Sequence, residues 1–534
     1  MSDRTLIDEL LAEQQSLTAV DRFARKHEHG GLPAQARYYR ELIPLAKPQP
    51  GEQYAFGVDL DACTGCKACV SACHSLNGLD DGEMWRDIGL LHGGGSEDAY
   101  QQTVTTACHH CVEPACLEGC PVRAYEKDAE TGIVRHLDDQ CIGCQYCVLK
   151  CPYDVPKYSK KRGIVRKCDM CHSRLSANEA PACVQACPTS AISIRIVSKS
   201  EVTKHIAPGD RLQPGAFDSH YTKPTTSYVT RKSIPADARA GDSAALRLEH
   251  AHWPLIAMLV LTQIAAGIFT AASVIAFANP HLFAAAKTPL AIAGFATLQL
   301  GLGVSVLHLG RPLGAWRAFL GLRTSWMSRE IFAFGAFAGA AAGFVASSVW
   351  GPLAFLAGPL AHVTTLLALV GVACSAMIYV DTRRAFWRSD LTFTKFFGTT
   401  LLLGSAGTGA VLAWFAPGEG ARALAMVATV IRTALFGWEF SHFRHALTDR
   451  ENPTHDSART VWRLLRPLVF ARGFLFVAAT VAGLFAIGTS GLLSAVLVTL
   501  SFALTLGSQL IERAIFFTAV ITPRMPGPFA RNVK

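Results

Sequence analysis

The sequence predicts an α+β domain built around cysteine clusters, followed by an all-α polytopic membrane bundle of eight helices. Two observations carry this. Sixteen of the chain's 17 cysteines fall into four blocks between Cys63 and Cys187. Beyond residue 247, apolar runs of about twenty residues, the length that crosses a bilayer as a helix, recur eight times.

Residues 1–50 read as a helical arm. Leu6, Ile7, Leu10, Leu11, Leu17, Val20 and Phe23 form an apolar stripe at helical spacing. With so little chain around it, the stripe is expected to dock on the cysteine domain or on a partner subunit. Asp3, Arg4 and Asp8 interrupt the start and no long apolar core follows, unlike a signal peptide.

Residues 51–198 hold the four blocks: Cys63-x2-Cys66-x2-Cys69-x3-Cys73, Cys108-x2-Cys111-x4-Cys116-x3-Cys120-Pro, Cys141-x2-Cys144-x2-Cys147-x3-Cys151-Pro and Cys168-x2-Cys171-x11-Cys183-x3-Cys187-Pro. Each iron of a [4Fe–4S] cube takes one thiolate. Three closely spaced cysteines wrap three corners, and the fourth, before proline, serves the neighbouring cube. A disulfide framework belongs to small secreted domains. Zinc sites use paired Cys-x2-Cys halves without the third cysteine or the Cys-x3-Cys-Pro ending. Sixteen thiolates suffice for four [4Fe–4S] clusters.

The second and third blocks are joined by residues 121–140, where a short helix, a turn at Glu130-Thr-Gly132 and a strand at Ile133-Val134 would fit, as in a two-cluster ferredoxin. Crosswise ligation then groups Cys108, Cys111, Cys116 with Cys151, and Cys141, Cys144, Cys147 with Cys120. The outer blocks are left for each other: Cys63, Cys66, Cys69 with Cys187, and Cys168, Cys171, Cys183 with Cys73. This ferredoxin-like, multi-cluster arrangement is a line of four cubes, a wire and not a substrate site. Lys67, Arg123, Lys150, Arg166 and Lys167 stand near the cysteines. They either tune potentials by charge or, the reading ordinary exposure favours, solvate a small loop-rich domain.

Residues 199–247, rich in Pro, Ser, Thr and charges, read as a linker or a surface-hugging extension. Residues 248–522 hold the eight spans, expected at 253–278, 289–309, 331–350, 360–380, 393–416, 421–440, 468–489 and 492–520, with 523–534 as a tail. The loops 310–329, 381–395 and 441–467 carry thirteen Lys and Arg; the four opposite loops show only Lys287 and Arg422. Cytoplasmic loops are enriched in Lys and Arg, so the cysteine domain is expected on the cytoplasmic side of a bacterial inner membrane. The net charge of +9 is mostly this signal, and nucleic acid is not an expected partner.

Ionisable groups within membrane segments are costly and mark function by default. His308 closes the second span and Glu330 opens the third, both on the cysteine-domain side, where they could exchange the protons of quinone chemistry. Alternatively, Glu330 favours a helix N-terminus and His308 snorkels. A bis-histidine haem needs two histidines at one depth. His308 and His362 lie at opposite ends of their spans, and His442 and His445 read as loop residues, so no haem is expected.

The four blocks, over about residues 58–197, resemble the iron–sulfur subunit of the dimethyl sulfoxide reductase family. The second half is similar to that family's eight-helix anchor through His252-Trp-Pro-Leu255, His308-Leu-Gly-x-Pro312 with Ser328-x-Glu330, and Leu510-Ile-x-Arg513-x-x-Phe516. The resemblance implies four complete clusters, because the family's variable position is Cys144. It also implies a quinol site at His308 and Glu330, and a separate catalytic subunit carrying molybdopterin. Gln509 stands where some relatives have an acid. Two departures are the fusion of wire and anchor and the inward charge bias, which suits relatives resembling the sulfite-oxidising molybdoenzymes. The implied role is electron transfer between a membrane quinone pool and that catalytic chain. The rivals are a stand-alone ferredoxin:quinone oxidoreductase and a purely structural anchor.

Overall fold

The computed structural model describes residues 39–95 and 98–528, together with residues 7 and 12. Of the helical arm expected over 1–50, all but residues 7, 12 and 39–50 lies outside the described residues.

The cysteine domain is α+β, with four small sheets. Its elements run β1 (Glu52–Asp59), α1 (Ala68–Leu76), β2 (Asp87–Gly93), β3 (Tyr100–Thr106), α2 (Ala115–Glu118), β4 (Tyr125–Lys127), β5 (Val134–His136) and α3 (Tyr146–Lys150). There follow β6 (Lys157–Ser159), β7 (Ile164–Arg166), α4 (His172–Ser176), α5 (Ala182–Gln185), β8 (Ile192–Ser198), α6 (Lys199–His205), β9 (Ser227–Val229) and β10 (Arg239–Ala240). Antiparallel pairing of β1 with β8, from Glu52↔Ser198 to Val58↔Ile192, clamps the chain before the first block to the chain after the fourth. Between the second and third blocks, β4 and β5 form a hairpin. The stretch expected to be a short helix is thus a strand, because Tyr125–Lys127 finds a partner in Val134–His136 across the Gly132 turn.

Short helices place the cysteines locally. Cys69, Cys116, Cys147 and Cys183 sit on α1, α2, α3 and α5. On α1 the Cys69-x3-Cys73 spacing keeps both side chains on one face.

Residues 199–247 hug this domain. β9 adds to β1 in parallel, and β10 pairs with the edge of β2. The stretch after the last helix returns as well: Leu90 N donates to Gly527 O (3.1 Å), and Met525 is buried in the domain's core.

The membrane half comprises α7 (Trp253–Ala278), α8 (Pro280–Val306), α9 (Trp326–Val349), α10 (Ala357–Val380), α11 (Ser389–Phe415), α12 (Glu419–Thr448), α13 (His455–Leu464), α14 (Arg466–Ile487) and α15 (Gly491–Thr518). All but α13 belong to segments long and apolar enough to cross a membrane. α7 and α11 form the centre and cross where Gly267 meets Gly404; a Cβ on Gly267 would lie 2.4 Å from Gly404 Cα. Small residues at such crossings let helices approach closely in lipid. Phe277, Leu366, Phe474 and Phe485 point outward and exposed, the face lipid would cover.

Helices outrun their apolar stretches. α8 starts at Pro280, where the Asn279 side chain accepts from Leu282 N (3.0 Å), and it carries Pro289 inside. Proline suits a first helical turn, so the helix begins nine residues ahead of the expected span. α12 continues to Thr448, which puts His442 and His445, read as loop residues, on its last turns.

Candidate iron–sulfur centres and quinone site

None of the seventeen cysteines forms a disulfide, and sixteen of them lie in the cysteine domain. Cys108, Cys111, Cys116 and Cys151 line one cavity with Val134, Tyr153 and Lys167. Burial and then the neighbouring Cys108 and Cys151 are among the causes that push the Cys111 thiol far up. Cys147 is raised by burial, then by Cys144, Cys141 and Cys120, which places the four in one neighbourhood. Burial pushes Cys73 up to about 12, with Cys183 and Cys171 contributing. Cys69 is raised by burial, with Cys183 and Cys187 adding. Cys66 is exposed, and Cys63 is held at the rim by Thr103 Oγ1 donating to its carbonyl (2.7 Å).

The neighbourhoods adjoin in sequence. Cys168 feels both Cys108 and Cys73. Buried Tyr125 stands between Cys147 and Cys116. Among the described residues no three His, Cys, Asp or Glu side chains converge on a point that a single metal ion would occupy. A four-iron body holds its thiolates farther apart. Burial raises most of these thiols, so a thiolate there needs a positive partner within the cavity, which an iron–sulfur core provides. The donor set and its cavity fit that group.

The five cationic residues divide. Lys67 and Arg123 are exposed and solvate the surface. Arg166, Lys150 and Lys167 are buried, against the solvation reading. Arg166 pairs with Glu83 (3.1 Å) and Lys150 with Asp381 (2.7 Å). Lys167 Nζ reaches Cys108 Sγ (3.6 Å) and donates to the carbonyls of Val134 and Cys168. Burial works against the Lys167 charge, but Cys108, Cys116 and Cys168 outweigh it and raise its pKa. Arg86, not singled out from sequence, is 2 % exposed. Burial opposes its charge too, but Cys183, Cys69, Cys168 and Cys73 more than restore it. No spacing rule marks it, since it lies thirteen residues past the first block.

The third block docks on the membrane bundle. Tyr146, fully buried, donates to Ile378 O (3.2 Å). Arg311 N donates to Ile142 O (3.0 Å), Gly321 N to Pro121 O (2.8 Å) and Ser325 Oγ to Gly119 O (2.7 Å). Leu309 and Ile331 pack in one hydrophobic cluster with Cys120, Cys141, Cys144 and Cys147. Their chain neighbours are His308 and Glu330. His308 Nδ1 is held by Ser305 O, while its Nε2 is buried without a partner. Glu330 is 6 % exposed, its Oε1 also unpartnered, with Ser375 beside it. Each side chain thus holds a buried, unpartnered polar atom one residue along the chain from a side chain packed on those thiols.

Deeper charges are paired inside the bundle. Lys395 pairs with Glu512 (2.7 Å), Arg513 with Glu512 (3.3 Å) and Arg472 with Glu439, while Arg432 donates to Ser501 Oγ (3.0 Å). Gln509 meets Thr399 (3.0 Å).

Residues 100–196 match the family described as 4Fe-4S dicluster domain, and residues 248–519 match the DMSO reductase anchor subunit. The protein is 39% identical over 150 residues to the B subunit of anaerobic dimethyl sulfoxide reductase from Haemophilus influenzae, an overlap of 26% of this chain and 73% of that one. The Escherichia coli B subunit is 34% identical over 185 residues, covering 32% and 86%. Thiosulfate reductase electron transfer subunit PhsB of Salmonella typhi is 35% identical over 157 residues, covering 29% and 81%. With half its length matched to the anchor, this chain belongs to the DMSO reductase anchor subunit family, and it carries the iron–sulfur electron-transfer domain of such reductases fused ahead of that anchor.

Proposed function

We propose that this chain passes electrons between a membrane quinone pool and a separate molybdopterin catalytic chain through four [4Fe–4S] clusters. The ligand sets are Cys63, Cys66, Cys69 and Cys187; Cys73, Cys168, Cys171 and Cys183; Cys108, Cys111, Cys116 and Cys151; and Cys120, Cys141, Cys144 and Cys147. When bound, the clusters supply one-electron redox chemistry, and the protein orients and tunes them. The last set is nearest the membrane. The quinone is held between His308 and Glu330, whose free Nε2 and Oε1 take and return its protons. The cysteine domain faces the cytoplasm, in keeping with the thirteen cationic loop residues on its side. The wire runs either way, so the substrate of the catalytic partner is open to reduction or oxidation.

One observation supports this reading above the others: Leu309 and Ile331 share a hydrophobic cluster with the membrane-proximal thiols, and the next residues along the chain, His308 and Glu330, carry buried unpartnered polar atoms. The test is quinol-driven bleaching of the clusters in the purified complex. His308→Ala and Glu330→Gln are each expected to slow it at least tenfold while iron content and dithionite-reducible absorbance stay unchanged. A normal rate in both variants would move the quinone elsewhere.

A further inference from the structure

Beside the candidate quinone site lies a cleft that none of the electron-transfer argument uses. It opens at the seam between the two halves. Gln145, Val148 and Leu149 of the third cysteine block form one wall, and Glu249, His250 and His252, just before α7, form another. His250 is exposed and His252 half-buried. Their rings lie 4.7 Å apart, and His252 N donates to His250 Nδ1 (3.1 Å). His252 caps α7 in the left-handed region, φ 46° and ψ 54°, a conformation costing about 1–3 kcal/mol that persists where the surroundings impose it.

The helix register brings this pair to His308. α7 and α8 are antiparallel, with Gly294 against Phe269 and Ile268, and Gly301 against Leu261 and Thr262. Continued for two more turns, that register sets His308 level with the start of α7. Burial holds His252 down to about 4, with His250 and then His308 contributing, in keeping with that register. His252 is therefore neutral at rest and holds a proton only in passing. Basic groups around the cleft, Arg247, Arg384, Arg524 and Lys160, outnumber Glu249 and Asp154, which also disfavours a resting imidazolium.

We propose that His252 and His250 are the proton relay of the quinone site, carrying protons between His308 Nε2 and water in the seam cleft. The relay rests on the quinone reading of His308. Oxidation of one quinol to quinone breaks two O–H bonds and releases two electrons and two protons. The electrons leave singly toward the centre on Cys120, Cys141, Cys144 and Cys147; the first proton, taken at His308, passes to His252, to His250 and to bulk water, and the second, taken at Glu330, follows through His308 once it is free. Quinone reduction runs the same path inward.

The test uses the intact complex and a short-chain naphthoquinol. His252→Asn keeps the left-handed backbone, which Asn tolerates, and His250→Gln is the second variant. Both are expected to slow quinol-driven cluster reduction, His252→Asn by roughly tenfold or more, within the range general acid–base groups contribute. Quinol-analogue binding, read by fluorescence quenching, should be unchanged, and millimolar imidazole should restore most of the rate. If His252→Asn reduces its clusters normally while His308→Ala does not, the relay is wrong and the quinone site stands. If His308→Ala is itself normal, the quinone reading falls and takes the relay with it. A slow His252→Asn with weakened analogue binding and no rescue by imidazole would make His252 a structural cap and overturn the relay.

Discussion

On the proposed ligand sets, Lys167 is placed to set the potential of a cluster. Its ammonium lies 3.6 Å from Cys108 Sγ and has no carboxylate partner among its hydrogen bonds, so its charge acts on the thiolate set. A unit charge about 6 Å from a cluster, at an effective dielectric near 20, is worth about 3 kcal/mol, or roughly 100 mV for a one-electron couple. Because the positive charge stabilises the reduced, more negative state, Lys167→Met is expected to lower the midpoint potential of one cluster by on the order of 100 mV. A redox titration followed by electron paramagnetic resonance checks this. A shift below about 20 mV would mean that solvent and counter-charge already screen it. The sequence put Lys167 beside Cys168 but not inside the cavity of the second block; chain adjacency cannot reveal which neighbouring cube a side chain reaches. Arg86 was missed for the same reason, since only the folded β2–β3 region brings it among four thiols.

At the scale of elements, the seam between wire and anchor depends on backbones meeting without side chains. A Cβ on Gly310 would come 2.1 Å from Gly163 O, and one on Gly143 would come 2.3 Å from the same oxygen. Gly143 and Gly163 also hold φ of 70° and 68°, where any other residue is strained. Gly310→Ala is expected to part this contact, at about 1–3 kcal/mol for overpacking. The predicted phenotype is a faster loss of quinol-driven reduction on warming, with cluster content at low temperature unchanged; thermal inactivation half-lives measure it. Cysteine blocks and apolar runs were legible because each is written in local spacing. The seam was not, since it joins Gly143, Gly163 and Gly310, residues far apart in the chain. The β1–β8 clamp was not read from the sequence either, since it pairs strands more than 130 residues apart. The start of α8 and the end of α12 were misjudged because an asparagine cap and a helical extension on the cysteine-domain side carry no apolar signal.

For the whole molecule, the path taken after α15 returns to the cysteine domain. Arg524 pairs with Asp242 (2.7 Å), Gly527 N donates to Asp242 Oδ1 (3.1 Å), and Gly527 O receives Leu90 N. Such a return requires an even number of crossings, in agreement with eight apolar segments. It also means that the loops on the domain's side are the thirteen-cation set. Even parity leaves inside and outside undetermined; the proposed cytoplasmic placement of the domain rests on the Lys and Arg imbalance. A fluorescent-protein fusion after residue 534 is therefore expected to fluoresce, and an alkaline phosphatase fusion there to be inactive. A phosphatase placed in the 416–418 turn, between α11 and α12, should be active. The reverse pattern would put sixteen thiols in an oxidising compartment and would require export of the folded, cluster-bearing domain ahead of the first span.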